Sequence, residues 1–345
     1  MGLGELLGSK LPLIQAPMAG VQGSALAIAV ARAGGLGSLP CAMLGAGQIA
    51  GEVAALRAAG LTAFNLNFFC HVPPAPDAAR EAAWRAALAP YYAEFGIDPA
   101  GIAPGPGRAP FTAESAALVE ALRPTVVSFH FGLPEPELLA RVRASGARLL
   151  ASATTLAEAL WLQARGVDAV IAQGLEAGGH RGHFLSEDLS EQSGTFALLP
   201  PLVAALRVPV IAAGGIADAR GVAAAMALGA AGVQIGSAYL LCPEATTSAV
   251  HRAALRAPSA RHTALTNLYS GRPARGIVNR LMRELGPLSQ LAPAFPLAST
   301  AVAPLRAKAE AAGSGDYSPL WAGQNLSGCR EIGAAELTRE LARGF

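Results

Sequence analysis

The stretch Gln173-Gly174-Leu175-Glu176-Ala177-Gly178-Gly179-His180-Arg181-Gly182 follows an apolar run at 168–172 and sets a titratable ring in a glycine-dense loop. A β-rich run ending in such a loop leaves backbone amides free to face a ligand, beside an imidazole that ionises near neutral pH. A lone loop histidine is either a structural or solvated ring or a group that exchanges protons with a substrate. Two further segments, Ala213-Gly214-Gly215-Ile216-Ala217-Asp218 and Gln234-Ile235-Gly236-Ser237, pair glycines with the start of the next element. With no Cβ in the way, N–H groups there can close on phosphate oxygens, helped by the partial positive charge of a helix start. Tight turns explain either segment alone; both together favour a phosphate. Met18, Asn65, Asn67, His130 and Gln173 fall at or near the ends of other apolar runs. The Asn and Gln amides match the donor and acceptor edge of a flat heterocycle, which suits flavin mononucleotide, FMN. The alternative is that they satisfy neighbouring backbone, and for Asn65 that reading is preferred.

These groups need a scaffold. Eight short apolar runs, at 13–17, 35–39, 63–68, 125–131, 148–153, 168–173, 209–213 and 232–236, read as strands. Alanine-rich helical segments at 25–33, 46–58, 135–144, 156–165, 196–206 and 220–228 alternate with them. Runs apolar on both faces, such as 208–213, suit parallel strands covered by helices. The alternation predicts an α/β fold, a TIM (β/α)8 barrel over residues 1–243, with ligands at the C-terminal ends of the strands and phosphate after strands seven and eight. The residues at about 70–124 exceed one crossover. Pro73-Pro74-Ala75-Pro76 and Pro104-Gly105-Pro106-Gly107 mark them as a helical insertion with looped edges. Residues 244–345, with helical pieces near 244–256 and 329–343, are expected to form a smaller cap over the substrate.

Composition narrows the partners. The chain has 345 residues, 52% hydrophobic and 14% charged, enough for a large core. A net charge of +2 without a Lys/Arg block argues against nucleic acid and anionic membrane, and favours small molecules. No apolar run approaches a membrane span, and no secretory pattern opens the sequence. Cys41, Cys70, Cys242 and Cys329 lie far apart, which fits reduced thiols in the cytoplasm. The only lysines are Lys10 and Lys308, which disfavours Schiff-base and pyridoxal-phosphate chemistry. His183 follows His180 by three residues, but no further ligand stands at zinc spacing, so no metal is expected. Glu176 reads as a structural carboxylate, with acid–base work the lesser option.

Taken together, several segments resemble the nitronate monooxygenase family, formerly 2-nitropropane dioxygenase, over nearly the whole chain. They are Gln15-Ala16-Pro17-Met18-Ala19-Gly20, Ala33-Gly34-Gly35-Leu36-Gly37, Ser128-Phe129-His130-Phe131-Gly132, the loop at 174–182, the two glycine turns and Trp321-Ala322-Gly323-Gln324. The Ser-Phe-His-Phe-Gly and Glu-Ala-Gly-Gly-His elements resemble the class I form. The resemblance implies bound FMN and oxidation of alkyl nitronates, such as propionate 3-nitronate, and of nitroalkanes, by O2 without a nicotinamide. It makes His180 the catalytic histidine and His130 a second active-site histidine. It implies FMN contacts at Met18, Asn67, Gln173, Gly178, Gly215, Gln234, Ile235, Gly236 and Ser237, with Gly179 and Gly214 adjoining them in the same turns. There is a departure: the family often places tyrosine and lysine over the substrate after the barrel, where this chain has Phe295 and Ser299. A rival is an FMN-dependent NAD(P)H enoyl-thioester reductase, which shares barrel and turns. An inosine-monophosphate-dehydrogenase-like barrel would need a cysteine after strand six, where none stands. From other classes come a flavin-free phosphosugar isomerase and a non-catalytic flavin-binding module.

Overall fold

In the computed structural model, which describes residues 2–103 and 107–345, the chain builds β1 (Leu13–Gln15), β2 (Ser38–Pro40), β3 (Asn65–Phe69), β4 (Val126–His130), β5 (Arg148–Ala153) and β6 (Ala169–Gln173). A two-residue strand, β7 (Gly179–His180), then leaves the sheet, and β8 (Val210–Ala213) and β9 (Gly232–Ile235) complete it. All eight sheet strands are parallel, in the order β1-β9-β8-β6-β5-β4-β3-β2. An isolated bridge between Ile14 and Leu36 closes the ring, with Gln15 N–H donating to Leu36 O at 2.9 Å and Leu36 N–H to Leu13 O at 2.8 Å. This is the expected (β/α)8 barrel. Pro104, Gly105 and Pro106, part of the expected looped edge, lie outside the described residues.

Alternation along the strands divides the core. Ile14, Leu36, Val126, Leu150, Ile171 and Ile211 fill the barrel together with Leu3 and Leu7 of α1 (Leu3–Leu7). Their neighbours Leu13, Leu39, Val127, Leu149, Val170 and Val210 belong to the larger core shared with the outer helices. Those helices include α2 (Ser24–Arg32) and α3 (Ala46–Ala58). After α4 (Ala78–Phe95) come α5 (Ala113–Leu122), α6 (Pro136–Ala144), α7 (Leu156–Ala164), α8 (Thr195–Ala205) and α9 (Ala219–Ala227). The 244–345 stretch adds α10 (Ala249–Arg256), α11 (Arg280–Leu285), α12 (Ala298–Ala311) and α13 (Ala334–Leu341). It also adds β10 (Thr263–Thr266) and β11 (Ala274–Ile277), an antiparallel pair onto which β7 docks. Among the described residues no helix is long and apolar enough to cross a membrane.

The insertion helix α4 does not touch the barrel core; it makes a second one with α12. Trp84, Leu88, Tyr91 and Tyr92 meet Leu268, Met282, Val302, Leu305 and Tyr317 there. The polar tips are satisfied: Trp84 Nε1 donates to Ala298 O at 3.3 Å and Tyr92 Oη to Ala301 O at 2.6 Å. Arg280 of α11 clamps Glu94 of α4 with two bonds of 2.7 Å. α13 returns to the barrel wall, where Leu337 and Leu341 join the main core and Thr338 Oγ1 lies 2.8 Å from Tyr239 Oη.

Leu88 is fully buried at the α4–α12 contact. Truncating it to alanine is expected to remove about 2–5 kcal/mol of stability, read as a lower urea midpoint.

Candidate functional site

The loop after β6 is built from three long side chains. Gln173, the last residue of β6, spans its base: Nε2 donates to His180 O at 2.9 Å and Oε1 accepts from Gly182 N–H at 2.8 Å. Arg181 is 0% exposed and, among the described residues, has no carboxylate partner. Its guanidinium donates to Gly174 O, Gln173 O and Gln192 Oε1 at 2.6–2.8 Å, and burial still depresses its pKa to about 10. Glu176 faces away from that guanidinium's bonds and takes the Thr195 N–H (2.8 Å) and Thr195 Oγ1 (2.9 Å). It thereby caps α8, whose N-cap residue Gly194 has no side chain to do so.

The histidine ring held by this loop sits in an aromatic, cationic surrounding. β7 pairs with β11 through Ala274–His180 and Arg275–Gly179. His180 Nε2 shares a 2.8 Å hydrogen bond with Ser270 Oγ, and Nδ1 has no protein partner among the described residues. The ring centres of Phe295, Trp321, Phe131 and Phe69 lie 5.3, 5.4, 6.1 and 6.3 Å from it. Burial, and then the charges of Arg108, His130 and Arg272, hold the His180 pKa well below the usual imidazole range. His180 is therefore neutral at pH 7. His130 differs, because both of its nitrogens are committed: Nε2 faces His180 O and Nδ1 faces Ser152 Oγ, each at 3.1 Å. A carbonyl only accepts, so Nε2 carries the proton and Nδ1 accepts from the serine. Burial, ahead of every charge, pushes its pKa down to about 3.

The opposite end of the same cavity is formed by the two glycine turns. Gly214 and Gly215 take φ of 116° and 73°, values that exclude a β-carbon at little cost only for glycine. Among the described residues the N–H groups of Gly215, Ile216, Gly236 and Ser237 donate to no protein acceptor. Asn325 Nδ2 holds Gly215 O at 2.8 Å, and Ser237 Oγ accepts from Gly323 N–H at 2.9 Å. A Cβ on Gly178 would come within 2.6 Å of the Ala322 and Gly323 backbone, so this glycine permits the Trp321 segment to close over the loop. Gln234 Oε1 is buried without a partner among the described residues.

All the residues expected to touch substrate or cofactor line this one cavity of about 270 Å³. His180, His130, Gln173, Gly178 and Gly179 come from the loop side, Met18 and Asn67 from β1 and β3. Gly214, Gly215, Gln234, Ile235, Gly236 and Ser237 come from the turns after β8 and β9. Asn67 Nδ2 is bonded to Ser128 O and Oγ at 3.2 and 3.0 Å, and Asn65 Nδ2 to Ser38 Oγ at 3.0 Å. Ser299 Oγ turns to Pro296 O at 2.8 Å. Sequence reasoning missed Ser270, Arg272, His71 and Arg108. No local motif marks them, since each reaches the site from the insertion or the turn between β10 and β11.

Comparison with known proteins gives a consistent result. The family model described as nitronate monooxygenase matches residues 2–344. Nitronate monooxygenases of Pseudomonas aeruginosa and Paraburkholderia phytofirmans are 45% and 44% identical over 98% of this chain, covering 97% and 93% of theirs. A solved nitroalkane oxidase from Streptomyces ansochromogenes is 38% identical at TM-score 0.88, over 99% of this chain and 96% of that one. FabK of Thermotoga maritima, 24% identical at TM-score 0.72 over 99% and 95%, shares the fold.

Two outcomes follow from the local geometry. Glu176→Ala strips the cap from α8 and is expected to cost about 1–3 kcal/mol in chemical denaturation. For His130, folded at about 3 against roughly 6.5 unfolded, the unfolded chain binds the extra proton between those values. Native stability is therefore full above about pH 6.5 and is lost progressively as pH falls toward 3. Unfolding midpoints measured across that range should show the slope, and His130→Gln should reduce it, the remainder coming from His71, His180 and His251, whose pKa values burial also lowers.

Proposed function

Because the chain belongs to the nitronate monooxygenase family, and is an oxidoreductase, we propose that it oxidises alkyl nitronates, propionate 3-nitronate among them, and nitroalkanes, with FMN and O2. The observation that carries this reading is a neutral imidazole, one nitrogen unpartnered, in a cavity whose far end is an anion cradle of backbone N–H groups.

The residues present fit the flavin. The N–H groups of Gly215, Ile216, Gly236 and Ser237 suit a phosphate. The orphaned Gln234 Oε1 suits an N–H of a flat heterocycle. Met18, Asn67, Gly178 and Gly179 line the space between and would bound its ring. When bound, the flavin supplies electron transfer from the substrate carbon and on to O2.

The protein's own task is to bind an anion and to move one proton. On a nitroalkane, His180 Nδ1 takes the α-proton and leaves the electron pair on the nitro group as the nitronate, while Ser270 holds Nε2. A substrate that arrives as the nitronate needs no such step. It is attracted by the same cationic surroundings that keep His180 neutral. His130 touches the His180 carbonyl and not the reacting atoms, so its role is positioning; Gln173 shares it. The aromatic walls exclude water, which strengthens these charge interactions.

The purified protein should be yellow and release FMN. A colourless preparation that FMN does not reconstitute overturns the cofactor. His180→Asn should keep the flavin absorbance yet lose at least about 10²-fold in kcat/KM for a nitroalkane. With its pKa lowered, the wild-type acidic limb should lie below about 6.5. Unchanged turnover in the variant removes His180 from the reaction.

A further inference from the structure

Arg108 is the charge that bears most on His180. It enters from the insertion, ahead of α5, on a backbone stapled to β3. Phe111 N–H donates to Phe69 O at 2.7 Å, and His71 Nε2 lies 3.0 Å from Arg108 O. The guanidinium lines the cavity. Its Cζ is 5.6 Å from the centre of the Phe295 ring, the same ring that lies 5.3 Å from His180. Imidazole and guanidinium thus border one aromatic wall.

The other arginines around the cavity are accounted for, the buried Arg275 by a 2.8 Å bond to Leu175 O. Arg181 is bonded to two carbonyls and a glutamine, Arg306 is paired with Glu310 at 2.8 Å, and Arg272 holds His183 O. Among the described residues the Arg108 guanidinium has neither a carboxylate nor a hydrogen-bond acceptor, and Met1, Pro104, Gly105 and Pro106 carry no acidic side chain. Burial lowers its pKa, as it does for a cation without a counter-charge. Holding a desolvated guanidinium unpaired is costly, and its planar fork matches a carboxylate with two parallel bonds. Phe295 and Ser299 bring no charge to this wall, and Arg108 is the cation that lies over Phe295, while Arg272 lies over Phe131.

We propose that Arg108 is a specificity-determining residue that binds a carboxylate at the end of the substrate remote from the nitro group, selecting short ω-carboxy nitro compounds over uncharged ones. This rests on the proposed function for the nitro end alone; the carboxylate site stands on Arg108 itself.

Two readouts test it on the flavin-loaded enzyme. In the first, kcat/KM is measured for 3-nitropropionate and 1-nitrobutane with wild type, Arg108→Met and Arg108→Lys. The acid-to-uncharged ratio should fall about 10–100-fold in the methionine variant and less in the lysine variant, which keeps the charge but not the fork. In the second, 3-nitropropionate binding is measured by calorimetry without O2. Saturable binding by wild type should weaken by the same factor in Arg108→Met and be partly restored in Arg108→Lys. An unchanged ratio, equal binding by wild type and Arg108→Met, or no acid binding by wild type overturns the proposal. Arg108-dependent binding without turnover of either compound leaves this site standing and overturns the nitronate reading instead.

Discussion

The site depends on how a loop of glycines is held in one conformation. Residues 174–182 contain four glycines, each of which loses more backbone freedom on ordering than any other residue. The opposing term is the buried Arg181 guanidinium, which draws Gln173 O, Gly174 O and Gln192 Oε1 to one point. Charge-assisted bonds of this kind contribute roughly 1.5–3 kcal/mol each, and leaving one of their members unpaired in the interior costs more. Gln173 fixes the other side of the loop, through the His180 carbonyl and Gly182 N–H. The His180 main chain is fixed in this way, and Ser270 Oγ then holds the ring at Nε2.

The same economy of carboxylates sets the electrostatics. Glu176 spends both oxygens on the start of α8. Glu158 gives one oxygen to Thr154 N–H and Oγ1 and the other to Phe184 and Leu185 N–H. Both acids are thus tied to backbone N–H groups and threonine hydroxyls, and after burial the charges that bear on His180 are those of Arg108, His130 and Arg272. A neutral imidazole in a positive field accepts a proton from carbon only when the product is an anion that the field stabilises, as a nitronate is.

The barrel was legible because its strands are buried on both faces. A run such as 168–173 reads as continuous apolar sequence, and β6 occupies Ala169–Gln173. The cavity residues were legible because strand ends and glycine turns are local features. The small sheet was not: β7 is two residues long, contains a glycine, and exists through pairing with β11 nearly a hundred positions later. β10 is only half-buried along most of its length and carries no strong alternation. α12 contains Pro304, which removes a donor from the helix interior, so its stability comes from packing on α4 rather than from local propensity. Arg108 and Ser270 were invisible for the same reason, since long-range packing alone brings them to His180.

This division has a consequence for how selectivity arises. Main-chain donors and the tied loop build the reacting half of the cavity on the rigid barrel, where a side-chain change has few ways to move them. The aromatic wall facing His180 comes in part from the insertion and from the segment just before α12, two segments joined by the α4–α12 core. Trp84 of α4 donates to Ala298 O, three residues after Phe295, so the packing of that core sets the wall from which Phe295 faces His180. Arg108 lies over the same ring on a strap pinned to β3. The charge proposed for recognition therefore sits on a segment built separately from the loop that holds His180, so a change at Arg108 can alter this wall without disturbing the bonds that fix His180.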